Sequence, residues 1–106
     1  MTKLTIEYMS GFFDGEGCVE LSPKKIQDRI SVVNTNKTIL EYIQETFGGS
    51  IISKKISGLS KKPQWVWRLH GRYGVALAKQ LHTICFEKKE KLGLFIERNE
   101  KNAEGI

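Results

Sequence analysis

Met9-Ser10-Gly11-Phe12-Phe13-Asp14-Gly15-Glu16-Gly17 closes a run of helical spacing with two carboxylates, each followed by a single glycine. The C-terminal end of a helix carries partial negative charge, so an acid there is disfavoured by a few tenths to ~1 kcal/mol, and a second acid adds to that. Such a pair calls for a compensating cation or a partner chain. Gly11 and Gly15 lie four apart, on one helix face. Without side chains they let a second helix approach closely. These nine residues predict a packing seam with a metal site beside it.

Upstream, Leu4 to about Asp14 reads as the helix, with Leu4, Tyr8, Gly11, Phe12 and Gly15 near one stripe and Gly15 and Gly17 stopping it. Downstream, Cys18–Ser22 reads as a strand with Val19 and Leu21 inward and Glu20 and Ser22 outward. A turn begins at Pro23-Lys24-Lys25, and Gln27–Asn34 returns as a second strand with Ile30 and Val32 inward and Arg29 and Ser31 outward. Thr35 or Asn36 caps a helix over about Lys37–Phe47, which Gly48-Gly49 ends. An isoleucine-rich strand, Ser50–Ser57, and a basic loop lead to Gln64–His70, where Trp65, Trp67 and Leu69 alternate with Gln64, Val66, Arg68 and His70. Two helices follow, over about Gly71–Thr83 and Glu87–Lys101.

The order αββαββαα predicts an α+β fold: one four-stranded antiparallel sheet with helices on one face, in a single domain spanning residues 1–106. Trp65 and Trp67 belong to its core. The open face is expected to carry Glu20, Ser22, Arg29, Ser31, Ser53, Lys55, Gln64, Arg68 and His70, a polar and net basic set.

Seventeen Lys and Arg against 12 acids give a formal charge of +5, which favours an anionic partner such as nucleic acid. No apolar run is long enough to span a membrane, and the N-terminus lacks the apolar stretch of a signal peptide. The expected location is intracellular: bacterial or phage-host cytoplasm, or an organelle. Cys18 and Cys85 lack metal-ligand spacing and read as reduced, buried thiols rather than as zinc ligands with His70 and His82.

Residues 10–17 keep the small-Gly-apolar-apolar-acid-small-acid-Gly pattern that resembles the signature of the LAGLIDADG homing endonucleases, with Met9 where leucine is usual. Asn34-Thr35-Asn36, Phe47-Gly48-Gly49-Ser50-Ile51 and Lys88-Lys89-Glu90-Lys91-Leu92 resemble its later landmarks, so the likeness covers nearly the whole chain. The resemblance implies cleavage of long double-stranded DNA sites with divalent metal, Mg2+ with Mn2+ as a possible substitute. It implies 5′-phosphate and 3′-hydroxyl products with short 3′ overhangs. It places Glu16 as the metal-binding acid, in glutamate form where aspartate is commoner, and adds the Gly15 carbonyl as a further contact. Asp14 maps onto the earlier, more structural acid. Asn34 falls near the residue that positions water, and Lys88 or Lys89 near the basic residue that stabilises the phosphate. Bland readings stand beside these: Asn34 as a helix cap, and Lys88, Lys89 and Lys91 as a solvated helix face.

Family members with one motif are homodimers. The resemblance therefore implies that Tyr8, Gly11, Phe12 and Gly15 meet their copies about a two-fold axis, bringing two Glu16 side chains together over a near-palindromic target. A two-stranded ribbon fits the major groove, where Arg29 and Arg68 suit guanine and Gln64 adenine. Lys24, Lys25, Lys54, Lys61 and Lys62 suit phosphates. The leading expectation is an endonuclease that promotes mobility of its own intron. The rivals are a maturase that binds its host intron RNA and a DNA-binding regulator without cleavage.

Overall fold

A computed structural model of the chain describes residues 4–23, 27–54 and 63–104. Thr5 starts the first helix, α1 (Ile6–Glu16), its hydroxyl accepting from the Tyr8 N–H at 3.1 Å. Gly17 ends α1 in an extended conformation, its N–H bonding the Phe13 carbonyl. Gly15, expected to help stop the helix, lies inside it, so Glu16 is the last helical residue. The reason is local: Gly17 alone supplies the break, because the chain turns there directly into a strand.

That strand, β1 (Gly17–Glu20), pairs with β2 (Arg29–Asn34); α2 (Lys37–Phe47) follows, capped by the Asn36 side chain on the Thr38 N–H at 3.0 Å. Gly48 (φ 85°) and Gly49 (φ 98°) then turn the chain through backbone that side chains disfavour, and the Trp67 indole N–H donates to the Gly48 carbonyl at 2.8 Å. Next come β3 (Ser50–Lys54), β4 (Gln64–Leu69), α3 (Gly71–Ile84) and α4 (Lys89–Glu104). The expected end of the third strand, residues 55–57, lies outside the described residues.

The four strands form one sheet in the order β1-β2-β4-β3, antiparallel throughout. α1 packs on α3 and on β1 and β2, α2 on β4 and β3, and α4 on α3 and β1. The core between the layers holds Met9, Phe13, Ile30, Val32, Leu40, Ile43, Trp67, Leu81, Leu92 and Phe95, all fully buried. Trp67 is core as expected, and Trp65 packs against it half-buried with the Lys37 ammonium 5.9 Å from its ring centroid. Among the described residues no helix is long and apolar enough to cross a membrane.

Two expectations need correction. Cys18 is exposed, not buried, because it pairs with Ser31 on the open face of the sheet; Cys85 is buried as expected. On β3 the parity is the reverse of the expected one. Ser53 pairs with Trp65 and so takes the helix-side direction, while Ile52 pairs with Val66 and Lys54 with Gln64 on the open side. A one-residue slip moves every side chain of a strand to the other face.

Candidate nucleic-acid interface and acidic helix end

The motif helix divides its residues between two faces. Met9, Ser10 and Phe13 are buried against the domain, whereas Tyr8, Gly11, Gly15 and Glu16 are exposed and Phe12 is half-buried. The Tyr8 and Phe12 rings stack at 6.3 Å. A Cβ built on Gly11 or Gly15 meets nothing within 4 Å, so neither glycine is required by packing inside one chain. Gly17 is the opposite case: a Cβ there would run into the buried ring of Phe13.

The two acids at the helix end have different surroundings. Asp14 Oδ1 accepts from the Lys88 N–H at 3.0 Å, Asp14 Oδ2 accepts from the Phe86 N–H at 3.1 Å, and the Lys88 ammonium donates to the Asp14 carbonyl at 3.0 Å. Partial burial works to raise the pKa of Asp14. The N–H groups of Lys88, Phe86 and Glu87 and the charge of Lys88 outweigh it and hold the carboxyl below the usual aspartate range. Glu16 is exposed at the end of the helix, and no basic residue occupies the last turn. Beneath Asp14, Cys85 donates from Sγ to the Ser10 carbonyl at 3.3 Å. Burial pushes its thiol up to about 11, aided by the charge and hydrogen bond of Asp14 and opposed by Lys88.

These contacts separate the two lysines that spacing left open. Lys88 is drawn to the carbonyl end of the motif helix, while Lys89 is exposed at the start of α4. Asn34 sits two residues beyond Val32, which pairs with Gly17, so it stands at the end of β2 nearest Glu16. Its Oδ1 accepts from the Asn36 N–H at 2.8 Å, and the helix cap is Asn36 itself.

On the open sheet face, Cys18, Ser31, Arg68 and Ser50 pair across all four strands, and Val33, Val66 and Ile52 form the neighbouring row. A hollow of about 460 Å³ lies over both rows, with Glu20, Ser53 and Lys54 at its margins. Ser31 lies on this face as expected but is almost wholly covered, in the middle of the sheet between Cys18 and Arg68. Arg29 Nε donates to Glu20 Oε1 at 3.3 Å, a partly exposed pair of the kind that contributes ~0–1 kcal/mol. His70 Nδ1 lies 3.2 Å from Gln27 Nε2 just before α3. Gln64 is half-buried at the start of β4. Lys24, Lys25, Lys55, Lys61 and Lys62 lie outside the described residues.

One polar cluster lies outside the expected site residues. Asp28 is buried, with Oδ1 accepting from the Ser22 N–H at 2.8 Å and Oδ2 lying 2.9 Å from Arg98 Nε and 3.0 Å from Asn99 Nδ2. Arg98 also donates to the Ser22 carbonyl at 2.6 Å. Ser22, an expected DNA contact, thus has its backbone tied from both sides. The cluster fastens the loop end of the β1–β2 hairpin to α4. Its one advance signal was an acid near the start of the expected second strand, too common to single out.

A divalent cation held by this chain would draw on the Glu16 carboxylate and the Gly15 carbonyl. The preceding carbonyls, those of Phe13 and Asp14, already accept from the Gly17 N–H and the Lys88 ammonium. No group of three or more His, Cys, Asp or Glu suited to a metal exists among the described residues. A carboxylate and a carbonyl oxygen are the donors that suit a hard cation such as Mg2+, which binds through one or two carboxylates and takes its remaining ligands from water and substrate phosphates.

An acid-tipped helix over an antiparallel sheet, in this order of elements, is the fold of the LAGLIDADG homing endonucleases. The chain belongs to the LAGLIDADG family: the model described as a LAGLIDADG-like domain matches residues 4–82. The chain is similar in structure to the homing endonuclease I-CvuI, crystallised with its target in the presence of Ca, with a TM-score of 0.73, 18% identity and coverage of 94% of this chain and 68% of that one. It is similar to the archaeal intron-encoded homing endonuclease I-Vdi141I, complexed with DNA, with a TM-score of 0.76, 19% identity and coverage of 94% and 69%. A third likeness is to the meganuclease I-AabMI bound to uncleaved DNA, with a TM-score of 0.63, 22% identity and coverage of 96% of this chain and 40% of that longer one. No curated protein matches the chain.

Proposed function

We propose that the protein is a site-specific, divalent-metal-dependent DNA endonuclease that acts as a homodimer and, by cutting an uninterrupted allele, promotes the mobility of its host intron. The carrying observation is the division of labour between the two acids. Asp14 is consumed in holding the α3–α4 turn, while Glu16, two residues on, stays exposed. An acid left solvent-facing at the negative end of a helix is unfavourable for folding. It is explained by a cation and a phosphate that meet it there.

Two copies joined along Gly11 and Gly15 would bring two such helix ends side by side beneath one duplex. The metal, Mg2+ or a substitute such as Mn2+, would supply Lewis acidity toward the scissile phosphate. Glu16 and the Gly15 carbonyl would hold it. Lys88, on its short tether to the helix end, would stabilise negative charge on the phosphate as the bond breaks. Asn34, at the adjacent strand end, would orient a water through its amide N–H2. The open sheet face would lie in the major groove, with Arg29, Arg68, Gln64 and Lys54 toward bases and phosphates. The solved complexes of I-CvuI and I-Vdi141I with DNA, one of them with Ca, support this reading by their shared fold.

The test is to incubate the protein with a randomised duplex library and Mg2+ and to sequence the new ends. Reproducible paired cuts with a near-palindromic consensus are expected. Glu16→Gln should abolish cutting while keeping specific binding. Cutting at a near-normal rate by that variant removes Glu16 from the mechanism. Absence of any cut, together with faster splicing of a host intron, transfers the protein to RNA maturation.

A further inference from the structure

The open face of the sheet is not uniformly polar. Val33, Val66 and Ile52 stand in direct register across β2, β4 and β3 and form an apolar row. Neighbouring strands are ~4.8 Å apart, so the row spans roughly 10 Å. Val66 is 7% exposed and sits as the floor, while Ile52 is 40% exposed and Val33 half-buried at its sides. The row lines the hollow described above, between Arg68 on one side and Lys54 on the other. Val33 follows Val32, the partner of Gly17, so the row's β2 member stands at the strand end where the motif helix runs into β1. The row thus lies at the acidic end of the sheet.

Side chains of this kind on a solvent-facing sheet gain nothing from water or from phosphates. Flanking cations and a chain charge of +5 call for a polyanion, whereas the row itself calls for an apolar group within that polyanion. A DNA duplex offers one such group in its major groove, the C5-methyl of thymine. We infer that Ile52 and Val33, supported from below by Val66, read thymine methyl groups in the part of the target nearest the scissile phosphates. The inference rests on the endonuclease reading above and adds the base that this patch selects. Arg68 and Lys54 fix the register of the duplex, and the apolar row discriminates thymine from cytosine within it.

The experiment starts from the target recovered by library selection. Each thymine is replaced singly by deoxyuridine, which keeps base pairing and removes only the methyl group, and binding is measured at fixed salt. At one or two positions per half-site the loss of the methyl should weaken binding by roughly fourfold, the transfer value of one buried methyl-sized group. Ile52→Ser, an exposed edge-strand change that leaves the core intact, should bind more weakly and lose that penalty. A protein that discriminates its target yet tolerates deoxyuridine at every position overturns this inference alone. A protein that selects no duplex at all overturns the endonuclease reading and this inference with it.

Discussion

Asp14 and Lys88 grip each other twice across seventy-four residues of sequence: the aspartate side chain accepts from the lysine backbone at 3.0 Å, and the lysine side chain donates to the aspartate backbone at 3.0 Å. The reciprocal contact fixes the α3–α4 turn against the end of the motif helix. It also holds the ammonium at the carbonyl end of that helix.

The first expectation concerns acid. Asp14 is held below its ordinary pKa in the folded state, so its contribution is present above the unfolded value of ~3.9 and is lost as pH falls through the lower, folded value. Urea unfolding measured below pH 4 should show stability falling with pH, and Asp14→Asn should flatten that fall while lowering stability at neutral pH. An unchanged acid slope in the variant would mean that the clasp does not govern it.

Cys85 has the opposite sign. Its folded pKa lies near 11, above the unfolded thiol value of ~8.5. Its protonated form is therefore favoured by folding, and the associated stability is lost as pH rises from about 8.5 toward 11. At pH 8 a thiol reagent should label Cys18 in the native protein and Cys85 only after unfolding. Rapid native labelling of both residues would contradict the buried hydrogen bond to Ser10.

The glycines of the motif should separate by role. Gly17→Ala is expected to cost about 1–3 kcal/mol of stability, because its methyl meets the Phe13 ring in a filled core. Gly11→Ala should leave the unfolding of a single chain little changed, since nothing stands within 4 Å of its Cβ. In sedimentation the same variant should weaken self-association by about tenfold or more, as expected for overpacking a close helix seam. Loss of monomer stability in Gly11→Ala, with association untouched, would place that glycine in the domain's own packing.

The hairpin staple should be costly to break from one side. Asp28→Ala leaves Arg98 partly buried without its carboxylate, and a loss of about 3 kcal/mol is expected. Specific DNA binding by the variant should fall before the rest of the fold melts, because β1 and β2 would lose their tie to α4 at Ser22. Unaltered denaturation would make the cluster incidental.

Element order, the α2 caps and the core position of Trp67 followed from local pattern: Asn36 before a helical run, paired glycines after it, and strict alternation through Trp65–Leu69. The parity of β3 did not, because Ser50–Lys54 alternates isoleucines with serines so weakly that only its pairing with β4 decides which side faces out. The different surroundings of Lys88 and Lys89 were equally hidden, since adjacent lysines differ in sequence by nothing that chemistry can read.

Chain-local information was enough for the αββαββαα order and for an acid-tipped helix with a bare glycine face, since caps, breakers and periodicity act between neighbours. The strand order β1-β2-β4-β3, the clasp between Asp14 and Lys88, the staple at Asp28 and the apolar row across β2, β4 and β3 all join residues distant in sequence. Such contacts exist only once the core has closed and set the register, and so they belong to the folded molecule rather than to any segment of it.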